Sequence, residues 1–273
     1  MLQVMPPKTR SYEVDSRHLL PMVRDFSELV AVRLFAKKSR RHVIQLGRDV
    51  RQHAFDARDT LPVVEHSDLA SFLGSDHPRD IVLPPISTIS LGGLGFVTPY
   101  ALLASVVSAL QPKKIFETGT FRGVGALTMA LNAPGAEIYT VDLPQDSGES
   151  DTSTLTRGDV EWVRLSRGCI GAAFDGLPEA ARIHQIWANS LTLDASEITT
   201  DVDFFLIDGG HSYECVKADT ENALKVLAPN GVILWDDYTW FMEGVHGYLS
   251  ELRNSLPLKR IAGSQYVIYK RGA

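Results

Sequence analysis

From Thr98 onward, short apolar runs alternate with stretches of helical spacing, and most runs close on glycine or an acidic residue. Few folds accommodate that alternation. Thr98-Pro99 offers a capping hydroxyl and a proline at the first helical position, predicting a helix that ends near Leu110, before Pro112. Lys114-Ile-Phe-Glu117 reads as a strand, followed by the glycine-bearing turn Gly119-Thr-Phe-Arg-Gly123. Val124, Leu127, Thr128 and Leu131 then recur at helical spacing up to Pro134-Gly135. Further strands are expected at Glu137–Val141, ending on Asp142, at Arg182–Trp187, and at Asp203–Ile207. The last is continuously apolar, as a strand buried on both faces must be. Val216, Thr220, Ala223, Leu224 and Leu227 form one helical face that stops at Pro229-Asn-Gly231, before the strand Val232–Trp235. Lys259–Ala262 and Tyr266–Lys270 are expected to pair antiparallel at the sheet edge. Seven strands separated by helices predict an α/β fold, a doubly wound and mostly parallel sheet with right-handed crossovers. Such sheets bind ligands beyond the carboxyl ends of their strands, where the polar residues discussed below all fall.

Residues 1–95 lack this regularity. Helical periodicity around Phe26–Phe35 gives way to Pro78, Pro84, Pro85 and the Leu91–Gly95 stretch. The expected division is a mainly helical N-terminal extension or cap over 1–95 and the sheet domain over 96–273. The polar stretch Gln145–Arg157 is expected to be a loop that helps to cover the ligand site.

Composition excludes several classes. With 27 Lys and Arg against 33 Asp and Glu, the chain carries a net −6, whereas a general nucleic-acid binder carries a basic surplus. Residues 1–60 hold 12 basic and 7 acidic side chains and the rest holds 15 and 26. The basic run Lys37, Lys38, Arg40, Arg41 therefore reads as a solvated helix face or a contact for an acidic partner. Cys169 and Cys215 have no metal or disulfide spacing. Met1–Arg10 lacks the apolar core of a signal peptide, and Ala101–Leu110 is too short to cross a bilayer. The expectation is a soluble, cytoplasmic protein with a small-molecule partner, without nucleic acid or membrane, and able to form a homo-oligomer.

Glu117-x-Gly119-x-x-x-Gly123 joins strand to helix, and Asp142 ends the next strand, 25 residues after Glu117. Glycines let a backbone approach its ligand closely, and a carboxylate at the second strand's tip accepts both ribose hydroxyls. A nicotinamide dinucleotide fits poorly. The three-glycine fingerprint is missing, and Glu117 would set a negative charge beside a pyrophosphate. A ligand with a nucleoside at one end and a cationic amino acid at the other fits better, and S-adenosylmethionine has that makeup.

Over roughly residues 98–273 the sequence resembles the class I S-adenosylmethionine-dependent methyltransferases. Phe116-Glu-Thr-Gly-Thr-Phe-Arg-Gly123 is similar to their first motif, and Asp142 matches their acidic ribose-binding position. The resemblance implies their Rossmann-like fold, with Glu117, Gly119, Thr120 and Gly123 around the methionine end. It places Asn189 and Ser190 near the adenine and counts Asp208 with the cofactor residues.

Ile207-Asp208-Gly-Gly-His211 closes the fourth strand and Trp235-Asp236-Asp237-Tyr238 the fifth. Carboxylates brought together at neighbouring strand tips repel one another unless a cation neutralises them, and hard oxygen ligands favour Mg²⁺, with Ca²⁺ or Mn²⁺ as substitutes. This pairing is similar to metal-dependent O-methyltransferases, most of all to the macrocin O-methyltransferase type. The likeness implies Asp208, Asp236 and Asp237 as metal ligands and O-methylation of a sugar or other natural-product diol. Capping of the following helices is the other use these aspartates could have. His211 stands where related enzymes carry a general base, and an imidazole titrates near neutrality. His246 is a weaker candidate for that role. Tyr238, Trp240 and Phe241 serve equally well as acceptor-pocket walls or as core. A catalytically idle cofactor-binding regulatory subunit, and a different metal-using reaction on the same scaffold, are the alternative readings.

Overall fold

The computed structural model describes residues 51–52, 54–56, 58–75, 80–85, 97–148 and 152–272. Phe26–Phe35, the basic run at 37–41, Pro78 and Leu91–Gly95 lie outside these residues. Two compact units divide the chain, Met1–Arg58 and Asp59–Ala273. Residues 59–75 thus belong with the sheet, so the sheet unit begins well before the expected boundary at 96.

The strands are β1 (Val63–Val64), β2 (Lys114–Thr118), β3 (Glu137–Asp142), β4 (Ile183–Trp187), β5 (Val202–Ile207), β6 (Leu227–Trp235), β7 (Lys259–Ile261) and β8 (Val267–Lys270). They form one sheet in the order β1-β7-β8-β6-β5-β2-β3-β4. The pairs β2/β3, β2/β5, β3/β4, β5/β6 and β1/β7 are parallel; β8 runs antiparallel to both β6 and β7. The expected mostly parallel, doubly wound sheet is present. The expected antiparallel pair of β7 and β8 is present, with β8 next to β6. One detail differs: the two-residue β1 adds an eighth strand beyond β7, so the pair is not outermost.

The helices are α1 (His66–Leu73), α2 (Val97–Leu110), α3 (Val124–Asn132), α4 (Arg157–Ser166), α5 (Tyr213–Val226) and α6 (Glu243–Leu252). Helix α2 begins one residue before Thr98 and packs on α1 and α3. The core lies between these helices and the sheet and includes Leu103, Val106, Val107, Ile115, Met129, Ile138, Phe204 and Leu234. Phe116 and Phe205 stack across β2 and β5 with centroids 4.8 Å apart. Burying aliphatic and aromatic side chains of this size contributes roughly 1.5–3 kcal/mol each. The expected stop at Pro229-Asn-Gly231 falls inside β6. There the register against β5 jumps from Val202↔Leu227 to Phe204↔Val232, so Pro229 sits in the irregularity rather than in the regular ladder.

Candidate functional site

β2 and β5 are neighbours, and the switch from β2-β3-β4 on one side to β5-β6 on the other leaves a crevice at their carboxyl ends. Gly119 sits at that switch with φ 94°. A Cβ there would lie 1.8 Å from the Asp208 carbonyl oxygen, so only glycine lets the two strand tips meet. Gly123, φ 82°, is the N-cap of α3, and a Cβ there would lie 2.6 Å from the Phe174 ring. The glycine loop therefore abuts Asp208 directly.

Glu117 is buried beneath this loop and accepts a hydrogen bond from the Thr140 hydroxyl. Its Oε1 lies where a Cβ of Gly125 would stand, under the first turn of α3. Burial pushes its carboxyl up to about 8, although the Thr140 bond pulls the other way. Thr120, expected near the cofactor, faces the sheet: its hydroxyl meets Thr140 at 2.7 Å and accepts from Gln185 Nε2 at 3.0 Å. It belongs to a buried chain of hydroxyls ending on Glu117.

Asp142 ends β3 as expected. Its Oδ2 accepts from the Phe121 amide at 2.7 Å and its Oδ1 from the Leu143 amide at 2.8 Å. Each oxygen keeps a lone pair for a hydroxyl. Burial raises its carboxyl and the two amides partly restore it. The Ala188 amide donates to the Asp142 carbonyl at 3.0 Å, which brings Asn189 and Ser190 alongside. Asn189 turns its Oδ1 back onto the Leu191 amide, 3.1 Å away.

The acidic tips converge, though not as three equivalent ligands. Asp208, His211 and Asp237 offer donor atoms that all lie within 4.8 Å of one another. Asp236 instead accepts from Gln265 Nε2 and from the Asp237 amide, both at 2.6 Å. Asp237 has φ 59°, a left-handed backbone that reverses the strand's alternation and turns its Oδ2 to within 2.7 Å of His211 Nε2. Burial, then the Asp236 and Asp237 charges, lift the Asp208 carboxyl well above the usual range. Burial and the Asp237 charge push Asp236 to about 7, against the hydrogen bonds of Gln265 and the Asp237 amide. A void of about 10 Å³ beside them is lined by Asp208, His211 and Asp236 but also by Ile207, Val216, Trp235 and Val245, and Asp237 does not line it. The donor chemistry of a divalent-cation site lies in the crowded, desolvated carboxylates of Asp208 and Asp237 beside His211.

His211 is sandwiched. Its Nδ1 meets Asp159 Oδ1 at 2.5 Å and its Nε2 meets Asp237 Oδ2 at 2.7 Å. Burial alone would lower its basicity, but the two carboxylates outweigh it and hold the ring well above its ordinary value. A carboxylate oxygen facing each ring nitrogen favours the doubly protonated ring, with both nitrogens donating.

None of the three aspartates is a helix cap. Ser212 caps α5 by accepting from the Cys215 amide, and Met242 precedes α6 without a side-chain cap. Tyr238 is core, its hydroxyl donating to Asp59 at 3.1 Å. His246 packs beside Tyr238, centroids 5.5 Å apart, and bonds to Ser250. Phe241 is exposed and, with Trp162, Tyr213 and Glu243, lines a cavity of about 500 Å³ that reaches Asp159 and His211. Gln265 and Gly244 carry no motif signal, and Asp159 carries only that of a capping pair with Thr156. A Cβ on Gly244 would lie 2.3 Å from the His211 carbonyl oxygen.

Strand order and loop placement define a Rossmann-like α/β domain. Residues 116–238, from the glycine loop to the second acidic tip, match the model of a family described as a methyltransferase domain. An uncharacterised protein of Sinorhizobium fredii, y4gI, is 26% identical over 133 residues, 48% of this chain and 14% of that protein. The chain thus spans a small part of that relative's length. Among solved structures, the S-adenosylhomocysteine-bound methyltransferase PaMTH1 of Podospora anserina has a TM-score of 0.47 at 14% identity, covering 75% of this chain and 86% of that one. The O-methyltransferase TomG of Streptomyces achromogenes, involved in tomaymycin synthesis and solved with S-adenosylmethionine, has a TM-score of 0.45 at 15% identity, covering 64% and 80%.

Proposed function

We propose that this chain is an S-adenosylmethionine-dependent methyltransferase that methylates a hydroxyl of a small molecule, aided by a divalent cation. The observation that carries the reading is the contact of two sites, the glycine loop with Asp142 beside it and the Asp208–His211–Asp237 cluster, which share the Gly119–Asp208 junction. Asp142 would hold the ribose hydroxyls, Asn189 and Ser190 would border the adenine, and Glu117, its carboxyl raised to about 8 by burial, would lie beneath the methionine end and ionise against the cofactor's positive charge. Asp208 and Asp237 would hold Mg²⁺ or Mn²⁺, with Asp236 keeping the pair in place through its bond to the Asp237 amide. Such an ion lowers the pKa of a bound hydroxyl.

The chain's own residues then position and deprotonate. The acceptor would enter the 500 Å³ cavity past Phe241 and Trp162 and present its hydroxyl to His211. A doubly protonated ring has no free lone pair, so His211 can act as a base only after Nε2 has given up its own proton, to the Asp237 carboxylate 2.7 Å away or to solvent. Burial of the two reactants side by side supplies much of the acceleration in such a displacement. A second reading of His211 follows from its position within 4.8 Å of both aspartates: Nε2 as a third ligand to the ion.

Calorimetry with S-adenosylmethionine and NAD in parallel tests the cofactor, and binding of NAD alone would defeat the proposal. Labelled-methyl transfer to a panel of sugars and catechols, with and without EDTA, tests the reaction. Undiminished transfer in excess EDTA would remove the cation. Mn²⁺ affinity of His211→Gln separates the two readings of the imidazole, since only a ligand's loss weakens it.

A further inference from the structure

Asp159 lies 52 residues before His211 in sequence and 6% exposed in the first turn of α4. Thr156 caps that helix, its hydroxyl accepting from the Asp159 amide at 3.2 Å, while Asp159 Oδ2 accepts from the Thr156 amide at 3.0 Å. In a capping box the third residue's side chain normally serves the cap alone. Here the same carboxylate also grips a different segment. Oδ2 accepts from the His211 amide at 3.0 Å and Oδ1 from His211 Nδ1 at 2.5 Å. An imidazole tied through one nitrogen to a fixed acceptor leaves the other to work. With Nδ1 held by Asp159, Nε2 is the nitrogen turned to Asp237 and the site.

We propose that Asp159 is a positioning residue that locks the His211 ring with Nε2 facing the site, and that it makes this orientation depend on α4 being folded beside the acceptor cavity. The proposal rests on His211 belonging to the chemistry, and it holds whether Nε2 takes a proton or binds an ion. It also gives the segment after Gln145 a role beyond cover: helix and imidazole are set by one carboxylate.

The test is the ring-proton spectrum of the full chain labelled with ¹⁵N-histidine, with His211 assigned by its loss in His211→Gln. A hydrogen-bonded Hδ1 resonance protected from solvent exchange is expected in the wild type. It should survive Thr156→Ala, which loosens the cap but spares the carboxylate. It should vanish in Asp159→Asn. Asp159→Gln, which completes a capping box with its own amide oxygen, is the second variant should the first lose its helix, and it should lose the resonance too. Absence of the resonance from the wild type, its survival in both Asp159 variants, or equal loss in Thr156→Ala would overturn the proposal, the last by reducing Asp159 to a cap. S-adenosylmethionine titration of the same samples is read separately. No binding by the wild type defeats the methyltransferase reading and leaves the ring-proton result standing; normal binding with a surviving resonance in the Asp159 variants defeats only the positioning role.

Discussion

Asp237 occupies a left-handed backbone, φ 59°, that costs most side chains of order 1–3 kcal/mol and that asparagine tolerates. That conformation makes the second acidic tip usable, because without it Asp236 and Asp237 would point to opposite faces of the sheet. Asp237→Asn should therefore fold with a thermal midpoint close to that of the wild type while losing Mn²⁺ binding by calorimetry. Asp237→Val should lose both, with roughly 1–3 kcal/mol less stability in urea. An Asn variant that still binds Mn²⁺ normally would remove Asp237 from the ion site. Gly119 is constrained from the other side. Its φ of 94° and the 1.8 Å approach of the Asp208 carbonyl leave no room for a Cβ. Gly119→Ala should cost about 3 kcal/mol or more by denaturant unfolding, because backbone rather than a flexible side chain must move. The glycine was legible in the sequence as a loop residue; its contact with Asp208, 89 positions away, was not.

Helix α4 shows where element-level reading stops. The Thr156 hydroxyl and Asp159 form a readable capping pair three residues apart, but the polar tract before them suggested only a loop. Which way that helix faces is set by its packing against the His211 segment, a long-range contact without local pattern. The alternation of strands and helices was legible because each strand's apolar run and each helix's spacing are local properties. The addition of β1 beyond β7, and the register irregularity at Pro229, depend on pairing and were not. Thr156→Ala should lower stability by about 1 kcal/mol in urea, the usual loss for a capping hydroxyl. Helix α6 carries a sharper constraint. Gly244 lets its first turn rest against the 211–213 backbone, where a Cβ would come within 2.3 Å of the His211 carbonyl and 2.5 Å of the Tyr213 amide. Gly244→Ala should push α6 away from that segment at a cost of about 1–3 kcal/mol, and lower Mn²⁺ affinity although it touches no ligand. Unchanged Mn²⁺ binding in that variant would show that α6 does not hold the His211 segment in place.

Across the sheet unit, the carboxyl ends of the strands gather buried acids, which fits the acidic surplus of residues 61–273. That charge was countable from the sequence, but which acids lose water was not, because desolvation follows from strand order and loop packing. Glu117 rises to about 8, mainly through burial, and Asp219, enclosed under Gly209 and against the hydroxyls of Ser190 and Thr118, rises to about 6 for the same reason. Both are held in the folded protein above their ordinary values near 4. The folded state binds these protons more tightly than the unfolded chain. Their contribution to stability is therefore fully present below about pH 4 and lost as pH rises, through about 6 for Asp219 and about 8 for Glu117. At about 1.4 kcal/mol per unit, Glu117 alone sets a loss on the order of 4–5 kcal/mol across its window. The urea midpoint of the wild type should accordingly fall between pH 5 and 9 rather than plateau. Glu117→Gln, which keeps an oxygen for the Thr140 hydroxyl and removes the proton, should take out the Glu117 share of that fall and leave the shares of Asp219, Asp236 and Asp208, whose carboxyls burial also raises. Urea titrations of both proteins at half-unit intervals decide it: parallel curves would mean that Glu117 is already ionised in the folded state and that some other charge carries the pH dependence.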